Sequence, residues 1–254
     1  MFNTFLNMKK FIFNFILLVT TFNLTVVSQT VEPSSSIDKN TLQIELESIY
    51  AIQKEGNDKL KSWSIPSLLL RYGLSNTLEL QLNVPIIKEN LYENDHLVHS
   101  LHKFDDMQLG FSVNLWKEQK LLPEAALMVR AIIPIHKNLK FDALGKVVSL
   151  NLSNTLSNSF SLNYNVGFVE ETNNKTSGFY IANLSYQLNS KINVFMETFS
   201  DFSSHYKATH NINIGGDYSI HENVCLGFSI ANGIKHELFY IGGILTWSID
   251  TKLN

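Results

Sequence analysis

The chain has 254 residues, with 20 Lys and Arg against 23 Asp and Glu and a formal net charge of −3. That balance argues against a nucleic-acid binder, which needs a basic surface, and the single cysteine, Cys225, cannot close an internal disulfide. The length suits one domain. Beyond the first 28 residues no stretch reaches the roughly 18 continuous apolar residues that a membrane helix requires.

Residues 1–28 read as a cleaved bacterial signal peptide. Lys9 and Lys10 precede an apolar run from Phe11 to Val19, and Val26-Val27-Ser28 places short side chains before Gln29. A membrane anchor is the alternative, but Asn14, Thr20, Thr21, Asn23 and Thr25 make the run a poor span. Removing the leader takes away two basic residues and no acidic ones, which moves the net charge from −3 to −5. Residues 29–40 (QTVEPSSSIDKN) are polar and read as a flexible periplasmic segment; folding back into a lumen is left open.

From residue 41 to the end, apolar and polar residues alternate in segments of strand length. The pattern predicts about twelve strands, near 41–52, 61–74, 78–87, 105–116, 123–135, 145–156, 160–170, 177–188, 192–201, 208–220, 224–232 and 237–249. Four pairs of strands share one design, joined by the three-residue polar turns Ser75-Asn76-Thr77, Ser157-Asn158-Ser159, Asn189-Ser190-Lys191 and His221-Glu222-Asn223. The last three turns lie 32 residues apart, as repeated hairpins require. A three-residue loop sets Tyr72 opposite Leu80, Leu152 opposite Tyr164, Leu184 opposite Met196 and Ile214 opposite Ile230, so the apolar residues of each pair share a face. A two-residue loop would pair Leu80 with Arg71 and spoil the match. Lys117 to Leu122 adds a fifth short connection on the same side. The other side carries the longer ones, including Gln53–Lys61, Lys88–Phe104 and His136–Leu144.

The second face of these strands is small and polar: Glu79, Gln81 and Asn83; Asp106, Gln108, Ser112 and Asn114; Ser149, Asn151 and Ser153; Ser161, Asn163 and Asn165. A nearly continuous apolar face with a wet opposite face predicts an all-β, membrane-spanning, antiparallel up-and-down β-barrel over residues 41–254. Trp247, Tyr72 and Tyr186 lie where interfacial girdle residues are expected. Short turns and an even strand count place both termini in the periplasm of a Gram-negative bacterium. The expected partners are outer-membrane lipid, a small-molecule solute and the barrel assembly machinery, with the chain a monomer or a small homo-oligomer.

The runs SIPSLLLRYGLSNTLELQLNVP (64–85) and DDMQLGFSVNLWKEQKLLPEAALMVRAIIP (105–134) resemble the meta-pathway phenol-degradation outer-membrane protein family, often labelled simply as transporters. The later runs at 160–168 and 192–199 agree with it. The resemblance implies an outer-membrane barrel that passes small, often aromatic or apolar, compounds, and it brings no catalytic residues. One departure is the end of the chain, which runs past Trp247 to Asn254 where barrels commonly finish on an aromatic residue.

Only two arginines occur, Arg71 and Arg130, both inside strands. A charge facing lipid at mid-membrane costs about 2–4 kcal/mol, so both are expected inward. Arg71 stands with Gln81 and Glu79, and Arg130 shares parity with Glu124; Glu45, Glu47, Glu197 and Asp217 are expected on the same lumen. The functional reading is an electrostatic constriction, and the competing one is a salt-bridged interior that only holds shape. In the longest expected outer loop, Tyr92, His96, His99 and His102 are candidate gate residues. Three histidines at three-residue spacing suggest a metal only on a helical turn, and no metal or other cofactor is expected. Catalysis is not expected either. Ser204-His205 and His99-Ser100 are sequence neighbours, whose side chains diverge on an extended chain, and His236-Glu237 lacks the second histidine of a zinc protease motif. The leading reading is a passive or facilitated channel; the alternatives are a non-conducting structural, adhesive or receptor barrel and, last, an outer-membrane hydrolase.

Overall fold

Side chains two apart on a strand share a face, so a sheet made of such alternating segments is apolar on one side and polar on the other. In lipid the backbone of every strand must also find a partner, which forces the sheet to close. The computed structural model describes residues 31–135, 144–203 and 208–252, and there the sheet does close. The expected signal peptide and the Ser204-His205 pair lie outside the described residues.

The elements are β1 (Thr41–Glu55), β2 (Asp58–Ser75), β3 (Leu78–Val84), β4 (Ile86–Glu93), β5 (His96–Phe104), β6 (Met107–Trp116) and β7 (Glu124–Ile133). They continue as β8 (Gly145–Thr155), β9 (Phe160–Glu170), β10 (Thr176–Gln187), β11 (Ile192–Phe202), β12 (Thr209–His221), β13 (Val224–Ile234) and β14 (Glu237–Asp250). Pairing is antiparallel between neighbours, and β1 closes the ring by pairing with both β14 and β2. β3 and β4 are two halves of one crossing, since β2 pairs with β3 along Leu68–Ser75 and with β4 along Asp58–Ser64. Pro85 separates the halves because it has no N–H to give the ladder. β5 and β6 form the facing crossing in the same way, so the barrel has twelve spanning strands.

The expected registers hold. Tyr72 faces Leu80, Leu152 faces Tyr164, Leu184 faces Met196 and Ile214 faces Ile230. The turn chemistry explains why: Asn189 Oδ1 accepts from the N–H groups of Lys191 (2.9 Å) and Ile192 (3.0 Å), and Ser157 Oγ does the same for Ser159 (3.3 Å) and Phe160 (3.1 Å). At the first and fourth turns a bulge shifts the last pair, so that Ser75 faces Leu78 and His221 faces Val224.

Among the described residues, buried polar and charged side chains outnumber buried apolar ones, while large apolar side chains stand exposed on strand after strand. Phe228 is 66% exposed and Ile214 55%, against 0% for Glu79 and 1% for Gln81. This inversion suits a wall with hydrocarbon outside and polar groups within; on a soluble monomer so continuous an apolar surface would aggregate.

Two expectations are corrected. Lys88–Phe104 is not an outer loop: β4 and β5 make a hairpin that prolongs the wall, with β2 extended to pair with it. The alternation of this segment continues to a two-residue turn at Asn94 (φ 47°) and Asp95 (φ 63°), the left-handed pair that a tight hairpin needs and that Asn and Asp tolerate. Likewise the Gln53–Lys61 connection shrinks to Gly56-Asn57, with Gly56 at φ 61°. For residues 29–40, read as a flexible periplasmic segment with a return into the lumen left open, the structure shows the second course over the part it describes. Their described part, 31–40, is hydrogen-bonded to the inner wall of the barrel.

Candidate functional site: the polar lumen and its strap

Burying a guanidinium is tolerable only when it is paired and its donors are satisfied. The lumen meets that demand with one connected ladder. Arg71 on β2 donates from Nε (2.9 Å) and Nη2 (2.6 Å) to Glu79 Oε1 on β3, and its Nη1 lies 3.5 Å from Glu45 on β1. Gln81 Nε2 also donates to Glu79 Oε1 (2.6 Å), while Gln81 Oε1 accepts from Arg130 Nε (2.7 Å) across to β7. Arg130 Nη2 then donates to Glu32 Oε1 (2.6 Å). The run Glu45–Arg71–Glu79–Gln81–Arg130–Glu32 therefore links four strands of the wall, β1, β2, β3 and β7, to the segment before β1.

That segment, residues 31–40, is a strap inside the barrel. Backbone groups of five of its ten residues are hydrogen-bonded to the wall. Val31 N–H donates to Glu197 Oε2 (3.3 Å), and Glu32 exchanges two bonds with the Asn165 amide (2.8 and 2.9 Å). The Ser34 carbonyl accepts from Asn114 Nδ2 (2.7 Å), Ile37 N–H donates to Glu79 Oε2 (2.9 Å), and Asn40 N–H donates to the Gly73 carbonyl (2.8 Å). Any side chain at position 73 would collide with the Asp38 carbonyl, so the glycine admits the strap. Asn40 takes φ 61° where the strap turns into β1, and its carbonyl accepts from Thr251 N–H (2.8 Å). The strap thus climbs into the lumen from the end of the barrel that carries the short turns.

Of the residues expected on the lumen, Arg71, Glu79, Gln81 and Arg130 are brought together. Glu124 is not with Arg130: its carboxylate takes Lys117 (2.7 Å) and Asn114 (2.9 Å) near the short-turn rim. Glu197 is buried on β11, where Asn183 (3.2 Å) and Asn213 (3.3 Å) donate to it; Asp217 on β12 accepts from Asn193 (3.2 Å). The expected gate residues stand apart from one another. His96, His99 and His102 occupy separate rungs of β5, opposite Glu93, Leu91 and Lys88, and Tyr92 on β4 lies under the ammonium groups of Lys61 (4.9 Å) and Lys59 (5.7 Å). An extended strand separates what a helical turn would have gathered. Glu32, Asn114 and Asn165 were not singled out as site residues from the sequence. Their types signal polarity, but only the path of the strap gives them partners.

A family model described as "Putative MetA-pathway of phenol degradation" matches residues 28–238. The chain belongs to that family. The match takes in the strap, both arginines and the wall from β1 to the start of β14. Among solved structures, an outer-membrane channel from Pseudomonas putida F1 superposes with a TM-score of 0.69 at 11% identity, covering 87% of this chain and 100% of that one. The translocator domain of the autotransporter NalP from Neisseria meningitidis gives 0.54 at 9% identity, covering 91% and 94%. The KdgM porin in complex with disordered oligogalacturonate gives 0.52 at 11%, covering 81% and 99%. At these identities the likeness is one of fold: each is an outer-membrane barrel. No curated protein matches the sequence.

Proposed function

We propose that this family member is a channel for small molecules across the outer membrane, and that the strap 31–40 is the obstruction its solutes must pass or displace. The observation that carries the reading is a closed polar interior crossing an apolar belt, with the chain's own strap held in it by the Arg130–Glu32 pair and by backbone bonds. Transport is passive or facilitated, driven by the solute gradient. In this reading the short turns and both ends of the barrel domain face the periplasm, lipid surrounds the belt, and the barrel assembly machinery inserts a monomer or a small homo-oligomer. Catalysis has no part in this reading.

Planar-bilayer recording tests the proposal. The intact mature chain should show small or intermittent conductance, and a variant lacking residues 31–37 should conduct several times more. Absence of current in both, together with no solute uptake into liposomes, would leave the second reading. In that reading the barrel does not conduct and acts through its outer surface; the tight ladder at Arg71 and Arg130 favours it. Replacing both arginines with Ala distinguishes the two roles of the ladder. A changed ion selectivity marks a conducting path beside it, and unchanged selectivity marks a packed strut.

A further inference from the structure

Away from the short turns, the outer surface of β1, β2 and β4 changes character. Buried side chains mark the inner face there: Ala51 on β1, Leu60, Ser62 and Ser64 on β2, and Leu91 on β4. The residues that alternate with them point outward. In register, Tyr50 faces Trp63 and Trp63 faces Lys88; two residues on, Ile52 faces Lys61 and Lys61 faces Asn90. Two residues further, Lys54 faces Lys59 and Lys59 faces Tyr92. Along β2 the outward row therefore runs from Tyr72, Leu70 and Leu68 through Trp63 to Lys61 and Lys59. Hydrocarbon gives way to an aromatic rung, and that rung to ammonium groups.

The rings hold the cations in place. Tyr50 and Trp63 stand with their ring centroids 5.1 Å apart, and the Lys88 ammonium lies 5.5 Å from the Trp63 ring. Lys61 and Lys59 flank the Tyr92 ring at 4.9 and 5.7 Å. The acids of the same strands are sent elsewhere: Glu55, Asp58, Glu89 and Glu93 share parity with Ala51, Leu60 and Leu91 on the inner face. Asp95 at the hairpin tip takes Lys59 (2.8 Å), and Glu237 lies 3.7 Å from Lys54. Among the described residues, Lys61 and Lys88 lie in no ion pair. A chain with more acidic than basic residues thus collects four lysines on one outward patch and leaves two of them unmatched.

Ammonium groups just beyond an aromatic girdle meet the headgroup layer, where anionic lipid attracts them. We infer that this patch docks a glycolipid of the outer leaflet whose saccharide headgroup carries two phosphates. Each lysine offers a compact point charge with three N–H donors, which suits phosphate oxygens. The Lys88 and Lys59 rungs stand four residues apart, about 13 Å along the strands. Phosphates at the two ends of a disaccharide reach both rungs, whereas a single phosphodiester reaches one. The acyl chains then lie on the belt below, against Leu68 and Leu70. The inference rests on the orientation proposed above, which puts this end of the barrel outside the cell, and not on conduction.

Native mass spectrometry of the folded, detergent-solubilised mature chain tests it with bisphosphorylated lipid A, monophosphorylated lipid A, cardiolipin and inorganic phosphate. Bisphosphorylated lipid A should bind; the monophosphorylated form and cardiolipin should bind several-fold more weakly; inorganic phosphate at equal concentration should not displace it. Lys61→Ala together with Lys88→Ala should weaken lipid A about tenfold or more. Lys191→Ala with Lys252→Ala, at the short-turn end, should leave it unchanged. If the first pair does not reach the folded barrel, judged by heat-dependent gel mobility, Lys61→Gln and Lys88→Gln taken singly should each weaken binding several-fold. Equal binding of cardiolipin and lipid A, displacement by inorganic phosphate, no lipid A binding, or unchanged affinity in the folded lysine variants would overturn the inference. On intact cells, Asp95→Cys in a Cys225→Ser background should react with a membrane-impermeant maleimide; absence of labelling would refute the outer-leaflet site and the orientation together. Bilayer recording keeps the channel separate. Lipid A binding without current refutes the channel and leaves the patch standing, whereas current without lipid A binding refutes the patch alone.

Discussion

Glu79 shows what a single buried side chain does in this lumen. One carboxylate accepts from Arg71 twice, from Gln81 and from the N–H of Ile37, so it joins two strands and the strap. Removing it leaves the Arg71 guanidinium buried with only the longer Glu45 contact, and losing one member of a buried pair costs about 3–5 kcal/mol. Glu79→Ala should therefore lower the stability of the folded barrel by that amount in reversible urea unfolding from lipid vesicles. A loss below about 1 kcal/mol would show that water already reaches the guanidinium. The sequence placed Arg71, Gln81 and Glu79 together, because strand parity and a three-residue turn bring them within reach. It gave no reason to join Gln81 to Arg130, 49 positions on, since that contact depends on which strands become neighbours in the sheet.

At the scale of the element, the strap and the β4–β5 hairpin carry the testable content. The strap passes over Gly73 at a distance that leaves no room for a Cβ. Gly73→Ala should release residues 31–40 while the wall survives, seen as new protease cleavage in the strap with an unchanged heat-modifiable band; continued protection of the strap would contradict the close approach. At the hairpin tip, a left-handed backbone costs a β-branched residue at least about 1–2 kcal/mol. Asn94→Val together with Asp95→Val should then make the tip the first site of proteolysis. The tip also has a pH limit. The Lys59 ammonium, 2.8 Å away, holds the Asp95 carboxyl below its usual range. A lowered value means that the contact stabilises the folded hairpin above the ordinary carboxylate pKa of about 3.9 and is lost as pH falls through the lower folded value. Amide exchange at residues 94–96 should speed up only in that acid window. The charged, histidine-rich composition of this hairpin reads as loop even though its alternation is valid. The Asn-Asp pair was the available signal of a tight turn.

For the whole molecule, the decisive property is that its apolar surface faces out. Phe228, in the body of β13, is among the most exposed side chains. Phe228→Arg should cost about 2–4 kcal/mol of folding free energy in vesicles if the position lies near mid-membrane. The same substitution at inward-facing Ser229 should be tolerated far better; equal penalties would mean that the two faces are not lipid and lumen. The extent of the barrel was legible because alternation, turn chemistry and hairpin repeat are local, and each strand's pairing with its sequence neighbour follows from them. The interior was only half legible.

What the sequence determined by itself is which residues share a face, where the turns of the four repeated hairpins fall and that the sheet has to close in lipid, because those follow from a two-residue period and from backbone groups that lipid cannot satisfy. Tertiary structure alone decided that residues 31–40 enter the lumen, that Glu32 neutralises Arg130, and that Val31 at the start of the strap meets Glu197 on β11. The physical reason is distance along the chain. Bonds such as Glu32 to Arg130 or Ser34 to Asn114 join groups 98 and 80 positions apart, and their geometry is set by the closure and stagger of the barrel, which no local pattern encodes.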